Sequence, residues 1–328
     1  VNQPGFDETA ARYLRFAEEE ARGRSPLYEV LARGVAGDRE ILAFLSTLPR
    51  EKRQPNLLLA VARLLFGTPA RWTEFRASLM GNLDSVRMHM MTLSTQTNEP
   101  ARCATLLPVL ALLPQPLALI EVGASAGLCL LLDQYSYDYR TRRVHPERVD
   151  ARTPVFFCMA SELVPLPTAM PQIVWRAGID LNPLDVSQPT QAAWLETLVW
   201  PGQTERLANL RAAIGIAATM KPRLIRGDLR GDLARLAEEA PKDATLVIFH
   251  TAVLAYVSLQ EERESFAREA MSLGQFWISN ESPRVFPEIA KRVGENGTPG
   301  RFMLSVNGEP VAWADPHGAG IEWIADPA

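Results

Sequence analysis

Leu117-Ala118-Leu119-Ile120-Glu121-Val122-Gly123-Ala124-Ser125-Ala126-Gly127-Leu128 is the stretch that decides the fold. Its first six residues form a run, apolar except for Glu121, bounded by Pro116 and Gly123, the pattern of a buried parallel strand. Helix-like Leu128–Tyr135 follows. Gly123 and Gly127 let the backbone turn tightly and approach a ligand. The helix start behind them offers free N–H groups. Glu121, at the carboxyl end of the strand, can accept hydrogen bonds, and open α/β sheets bind ligands at these ends.

Downstream the chain alternates. Strands are expected at Ile173–Leu181, Arg223–Gly227, Thr245–His250 and Gln275–Ser279. Helices are expected at about Thr190–Ala218, Asp232–Glu239 and Gln260–Leu273. Alternation of this kind implies a parallel sheet with right-handed crossovers. Phe302–Val306 and Val311–Trp313 flank Asn307-Gly308, a hairpin signal, and Ile321–Ile324 can extend it. Upstream, residues 1–113 read as helices separated by Gly and Pro. Asp7, Ser25 (before Pro26) and Asp38 are candidate caps, Asn56–Phe66 has helical spacing, and Thr68-Pro69 opens a helix ended by Gly81. Helices over Leu83–Leu93 and Pro100–Leu113 complete this part. The expectation is an all-helical N-terminal domain, 1–113, followed by an α/β domain, 114–328. The second is a Rossmann-like, class I methyltransferase-type sheet of parallel strands ending in an antiparallel hairpin, with an insertion at about 136–172.

Composition narrows the function classes. The 328 residues are 47% hydrophobic and 22% charged, which is ordinary for a globular chain. Of 34 basic residues only Lys52, Lys221, Lys242 and Lys291 are lysines, and 38 acids leave a net charge of −4. That balance disfavours a nucleic-acid partner. Val1-Asn2-Gln3-Pro4 has no basic or apolar signal region, so a cytoplasmic protein is expected. Cys103, Cys129 and Cys158 are widely spaced and read as buried, reduced thiols rather than metal or disulfide cysteines. Pro108, Pro114 and Pro116 interrupt the uncharged stretch Cys103–Ile120, which reads as a helix end and a strand rather than a membrane span.

Three readings of the glycine loop compete. It resembles the acid-x-Gly-x-Gly-x-Gly loop that binds S-adenosylmethionine in class I methyltransferases, with Ser125 in place of the middle glycine. Gly123-x-Ser125-x-Gly127 also fits a nucleophile elbow. The third is a turn needed only for packing. Only helices precede Leu117, whereas a hydrolase sheet has strands there; His317 and Asp228 follow in the order a triad requires. The methyltransferase reading asks for an acid after the second strand, which Asp180 supplies, and one after the third, which Asp228 supplies. Asp180 lies much further beyond Gly127 than the usual ~20 residues, so Ser136–Gln172 has to be an insertion.

At these residues the chain resembles an uncharacterised bacterial family, domain of unknown function 2332. The likeness rests on Gln96-Thr97-Asn98-Glu99, the Glu121–Leu128 loop with Asp133-Gln134-Tyr135, and Gly178-Ile179-Asp180-Leu181 with Pro183-Leu184-Asp185. Trp200-Pro201, Gly227-Asp228 and His250-Thr251-Ala252-Val253-Leu254-Ala255-Tyr256 complete it. The family usually has Asn where this chain has Cys129. The resemblance implies a fold similar to that of S-adenosylmethionine-dependent methyltransferases and brings no particular reaction with it.

Other residues have paired readings. His250, ending the fourth strand, is the candidate general base or a structurally bonded histidine. Asn98 and Glu99 either cap the next helix or fold over the pocket as a lid. Glu281, beyond the fifth strand, faces the cleft or, more simply, solvent. Arg140, Arg142, Arg143, Arg148 and Arg152, with His145, form either an anion site for substrate or a solvated face paired with acids. Tyr135, Tyr137 and Tyr139 alternate as one buried strand face would. Trp175, Trp194 and Trp200 read as core.

The function expected is methyl transfer from S-adenosylmethionine to a small or medium acceptor. Glu121, Gly123, Ser125, Gly127, Asp180 and Asp228 would hold the cofactor, and no metal is expected. A hydrolase using Ser125 and a non-catalytic binding protein are the alternatives.

Overall fold

A computed structural model describes residues 4–96, 98–293 and 300–324. Val1, Asn2 and Gln3, on which the signal-peptide reading rests, and Thr97 of the family motif lie outside them. Among the described residues twelve strands form two sheets. In chain order they are β1 (Leu117–Val122), β2 (Ser136–Asp138), β3 (Arg143–Val144), β4 (Val155–Phe157), β5 (Met159–Ala160), β6 (Ile173–Asp180), β7 (Arg223–Arg226), β8 (Thr245–Thr251), β9 (Phe276–Glu281), β10 (Phe302–Val306), β11 (Glu309–Ala314) and β12 (Gly320–Trp323).

Every residue of β1 is buried, because the strand is paired in parallel on both sides, with β6 and β8. The large sheet runs β5-β12-β11-β10-β9-β8-β1-β6-β7. After β1 the chain builds outward to β6 and β7, then returns to build β8 and β9 on the other side, so the order reverses at β1. Val122 stands level with Ile179 and with His250. Beyond β9 the strands β10, β11 and β12 follow in antiparallel pairs, and β5 closes the edge parallel to β12. The β10–β11 turn has both central residues at positive φ, Asn307 at 49° and Gly308 at 80°, the geometry that matches strand twist. The insertion between β1 and β6 contains the small sheet β3-β2-β4. Tyr135, Tyr137 and Tyr139 are buried as their alternation implies, each hydroxyl donating to a backbone carbonyl.

Alternation along the strands divides the large sheet into two faces. Ala118, Ile120, Val122, Ile248 and Trp277 share a core with residues of helices Leu233–Glu238 and Gln260–Leu273. The opposite face carries Glu121, Phe249, Thr251 and Asn280. Helix Cys103–Leu112 supplies Thr105 to it, and this helix is buried throughout Cys103–Leu110. A helix apolar on all sides is stable only when enclosed, which accounts for the uncharged stretch. Among the described residues no helix is long and apolar enough to cross a membrane.

The chain divides into two compact units, Val1–Gln96 with Ala193–Ala208, and Thr97–Ala192 with Asn209–Ala328. The division falls before helix Cys103–Leu112 rather than at 113, since that helix packs within the sheet unit. In the first unit the described elements are helices with a core of their own. Ser25 and Asp38 cap helices there, accepting from the amides of Tyr28 and of Glu40 and Ile41. Trp194 lies in that core, and Trp200 packs edge-on to Phe16 at 5.4 Å. Two expectations are corrected. The helix after Thr68-Pro69 begins only at Trp72. The single helix 190–218 is two, Pro189–Leu198 and Thr204–Met220. Pro201 disfavours a helical residue before it, and Gly202 turns at φ 89°.

Candidate functional site

The loop after β1 is held in one shape by its neighbours. Gly123 (φ 71°), Ser125 (φ 51°) and Gly127 (φ 69°) all lie in the left-handed region. A Cβ on Gly123 would sit 2.3 Å from Val253 Cγ2, and one on Gly178 of β6 would sit 2.4 Å from Ala124 Cβ. Ser125 occupies a conformation that costs an L-residue roughly 1–2 kcal/mol, and bonds from outside the loop offset the cost. Its amide donates to Asp180 Oδ2 at 2.8 Å. Asn98 Nδ2 donates to Ser125 Oγ, and Asn98 Oδ1 accepts from the Ala126 amide at 3.0 Å. Asp180 ends β6 next to the loop despite the long insertion, and its Oδ1 accepts from the Asn182 amide at 2.7 Å. The helix expected behind the loop is replaced by a short 3-10 segment, Cys129–Gln134, with Leu131 outside helical geometry. Helix-dipole binding is therefore not part of this site.

Beside the loop lies a buried polar cluster. Glu121 is 4% exposed, and its Oε2 has no hydrogen-bond partner. Burial pushes its carboxyl well above the usual carboxylate range; Cys129 and Asp180 act in the same direction and Arg102 opposes them. Arg102, also buried, donates through Nε to the Pro316 carbonyl at 2.7 Å and through Nη1 to the Thr251 carbonyl at 3.2 Å. Asn280 donates to Thr105 Oγ1 at 3.4 Å, while its own Oδ1 lacks a donor. Glu99 is buried and caps the short turn Pro100–Arg102, and His317 Nδ1 lies 3.6 Å from its Oε2. Glu99 thus caps as the simpler reading has it, whereas Asn98 clasps the glycine loop. The three cysteines are free and buried. Contact with Cys103 and burial push the Cys129 thiol up, so it stays protonated.

His250 points to the opposite face. Its ring is fully buried, stacked on Trp277 at 5.8 Å and edge-on to Phe266 at 5.5 Å. Nδ1 lies 2.8 Å from Glu281 Oε1. The same oxygen accepts from the amides of Val253 (2.7 Å) and Leu254 (3.0 Å). Glu281, expected in the cleft or in solvent, is instead the buried last residue of β9. Its bonds fix the turn that presses Val253 against Gly123. The sealed ring of His250 contacts that turn through Glu281 rather than standing open to an acceptor.

The remaining candidates lie at the surface. Asp228 is paired with Arg230 by two bonds, which draw its carboxyl down to about 2. Arg140, Arg142 and Arg143 are exposed; Arg143 pairs with Asp138 and Arg152 with Asp150, as the solvated-face reading has it. Among the described residues no group of three His, Cys, Asp or Glu side chains is placed to hold a metal ion. Arg102, Thr105 and Asn280 are members of the constellation that no motif marked, and His317, considered only as a triad histidine, lies instead beside Glu99; the one signal is that Arg102 is a lone charge opening an apolar helix.

Comparison with curated proteins and with solved structures gives no match. Residues 10–323 match the model of a family described as an uncharacterised protein conserved in bacteria, domain of unknown function 2332, and the chain belongs to that family.

Proposed function

We propose that the protein binds S-adenosylmethionine at the carboxyl end of β1 and transfers its methyl group to a small or medium acceptor. The observation that carries this reading is the loop Gly123–Gly127, with three left-handed residues, placed where the strand order reverses. The parallel strands run third, second, first, fourth, fifth in chain order, as in doubly wound dinucleotide-binding sheets. Bound there, the cofactor supplies an electrophilic methyl group.

The chain's own residues have these parts. Glu121 offers an acceptor oxygen from within the cluster. Gly123 and Gly127 leave backbone open to close approach, and Ser125 takes the glycine-like conformation the loop needs. Asp180 holds the loop by its amide bonds, and each of its oxygens keeps a further lone pair for a ligand hydroxyl. Asp228 is neutralised by Arg230 and lies at the adenine side only in the family analogy. His250 and Glu281 position the Val253 turn. Rate would come chiefly from alignment of acceptor and methyl group.

Calorimetry of the full chain with S-adenosylmethionine tests the reading. Heat of binding, weakened by Glu121→Ala and by Asp180→Ala, is expected. Neither heat nor a thermal shift at millimolar cofactor would sink it. Binding that survives both substitutions would move the site elsewhere. Binding without turnover over an acceptor panel favours the non-catalytic alternative.

The positive φ of Ser125 also suits a nucleophile elbow. Against that, the Nδ1 atoms of the four histidines lie by Ser85 O, Ser136 Oγ, Glu281 and Glu99. Labelling by a fluorophosphonate, lost in Ser125→Ala, would reverse the preference.

A further inference from the structure

A guanidinium in a protein cannot shed its charge, so a buried arginine needs an anion or a full set of acceptors. The sheet unit contains two contrasting cases. Arg176 is half-buried and grips Asp133 with both ends of its fork, at 2.6 and 2.8 Å. Arg102 is more deeply buried, at 3% exposure, yet its partners are all neutral. They are the Pro316 carbonyl, the Thr251 carbonyl and hydroxyl, and the face of Phe302. Among the described residues no carboxylate lies within ion-pair distance of it, and Nη2 has no acceptor.

The place of this guanidinium matters as much as its lack of an acid. Thr251 ends β8, the neighbour of β1, one residue past the level of Val122. The charge therefore sits at the carboxyl end of the sheet, on the same face as Glu121. Glu121 Oε2 is a buried acceptor without a donor. It is also held in place beforehand. The turn bearing Pro316 approaches so closely that a Cβ on Gly318 would lie 2.0 Å from the Ala101 carbonyl oxygen. One side chain thus lacks an anion and its neighbour lacks a donor, at the end of the strand that leads into the glycine loop. An ammonium and a carboxylate on one carbon would complete both.

We infer that Arg102 receives the carboxylate of an α-amino-acid group, the amino-acid end of the ligand, and this rests on reading the loop as an S-adenosylmethionine site. Arg102 then discriminates among adenosyl compounds by their carboxylate. It is a binding residue and takes no part in methyl transfer.

The test compares S-adenosylmethionine with its decarboxylated form, which keeps the ammonium and the nucleoside and lacks only the carboxylate. Calorimetry on the full wild-type chain is expected to give about 10- to 100-fold tighter binding of the intact compound, the range of a charge-assisted hydrogen bond. In Arg102→Met the two affinities should converge, with that of the decarboxylated compound unchanged. Arg102→Lys keeps the charge without the fork and should recover only part of the difference; it serves if the Met variant does not fold. Equal affinities in the wild type overturn the role of Arg102 and leave the cofactor reading standing. So does a preference that persists in Arg102→Met. If neither compound binds the wild type, the cofactor reading fails and the inference fails with it.

Discussion

The two faces of the sheet both bury an acid at the ends of their strands, and the two acids are treated differently. On the helix-covered core face, Glu281 Oε1 accepts from His250 Nδ1 and from two backbone amides, although its Oε2, like that of Glu121, has no partner. On the other face Glu121 has an oxygen with no donor, and Arg102 nearby has no acid. A carboxylate surrounded by internal donors is a strut, because removing it leaves those donors stranded. An acceptor and a cation left open at the same end of the sheet are a strut's opposite, since no internal bond joins or completes them. Burial and charge alone would have ranked the two acids as equals; the bonds distinguish them.

The largest expected effect attacks the strut. Glu281→Ala strands three donors, two of them fully buried, at about 1–3 kcal/mol each, so a loss of at least roughly 3 kcal/mol is expected in urea unfolding. Glu281→Gln keeps an acceptor and should lose less. A loss under about 1 kcal/mol from the alanine variant would end the distinction between the faces.

Next comes the link from strut to loop. Gly123→Ala places a methyl against Val253 at positive φ and should lose about 2–3 kcal/mol. Val253→Ala in the same chain should restore part of it, a coupling that a double-mutant cycle measures. Strict additivity would show that the Val253 turn does not bear on the loop.

A smaller effect probes the open side. Burial raises the folded-state carboxyl of Glu121 above its unfolded value. The folded state then prefers the protonated acid, so ionisation erodes stability as pH rises above the unfolded value. Glu121→Gln cannot ionise. Its melting temperature relative to wild type should therefore be higher at pH 8 than at pH 4. A pH-independent difference would contradict the assignment.

The smallest effect is the control. Asp228 has a lowered carboxyl through Arg230, so the pair's contribution is present at neutral pH and fades only as pH falls towards about 2. The pair is exposed, and such pairs are worth little. Asp228→Asn should leave the melting curve at pH 7 nearly unmoved; a large drop would mean the surface pair had been misjudged.

What the sequence discloses follows from how local each cause is. Leu117–Val122 is read to the residue because its signal, an apolar run between Pro116 and Gly123, is contained in the segment. Gln260–Leu273 is equally legible from its own pattern. Asn280-Glu281-Ser282 reads as a polar turn, and only partners far along the chain, His250 and Val253, put Glu281 in the interior. Arg102 is hidden for the same reason, since Thr251, at the end of β8, and Pro316, in the turn between β11 and β12, reach it from far along the chain. Asn98 is visible as part of a motif, but its bond to Ser125 depends on two loops meeting. The break at Trp200-Pro201 was in plain view, and the apolar residues on either side masked it.

One feature of the chain's course bears on how the protein is made. The core of the helical unit contains Trp194, and the unit is completed by Ala193–Ala208. The residues between belong to the other unit. A ribosome adding about 5–20 residues per second therefore delivers the last part of the first unit several seconds after its opening helices have emerged. During that interval the opening helices lack Trp194, and a fragment ending at Gln96 would have the same exposed seam. The helical unit is thus completed only after residues 97–192 of the other unit have been made.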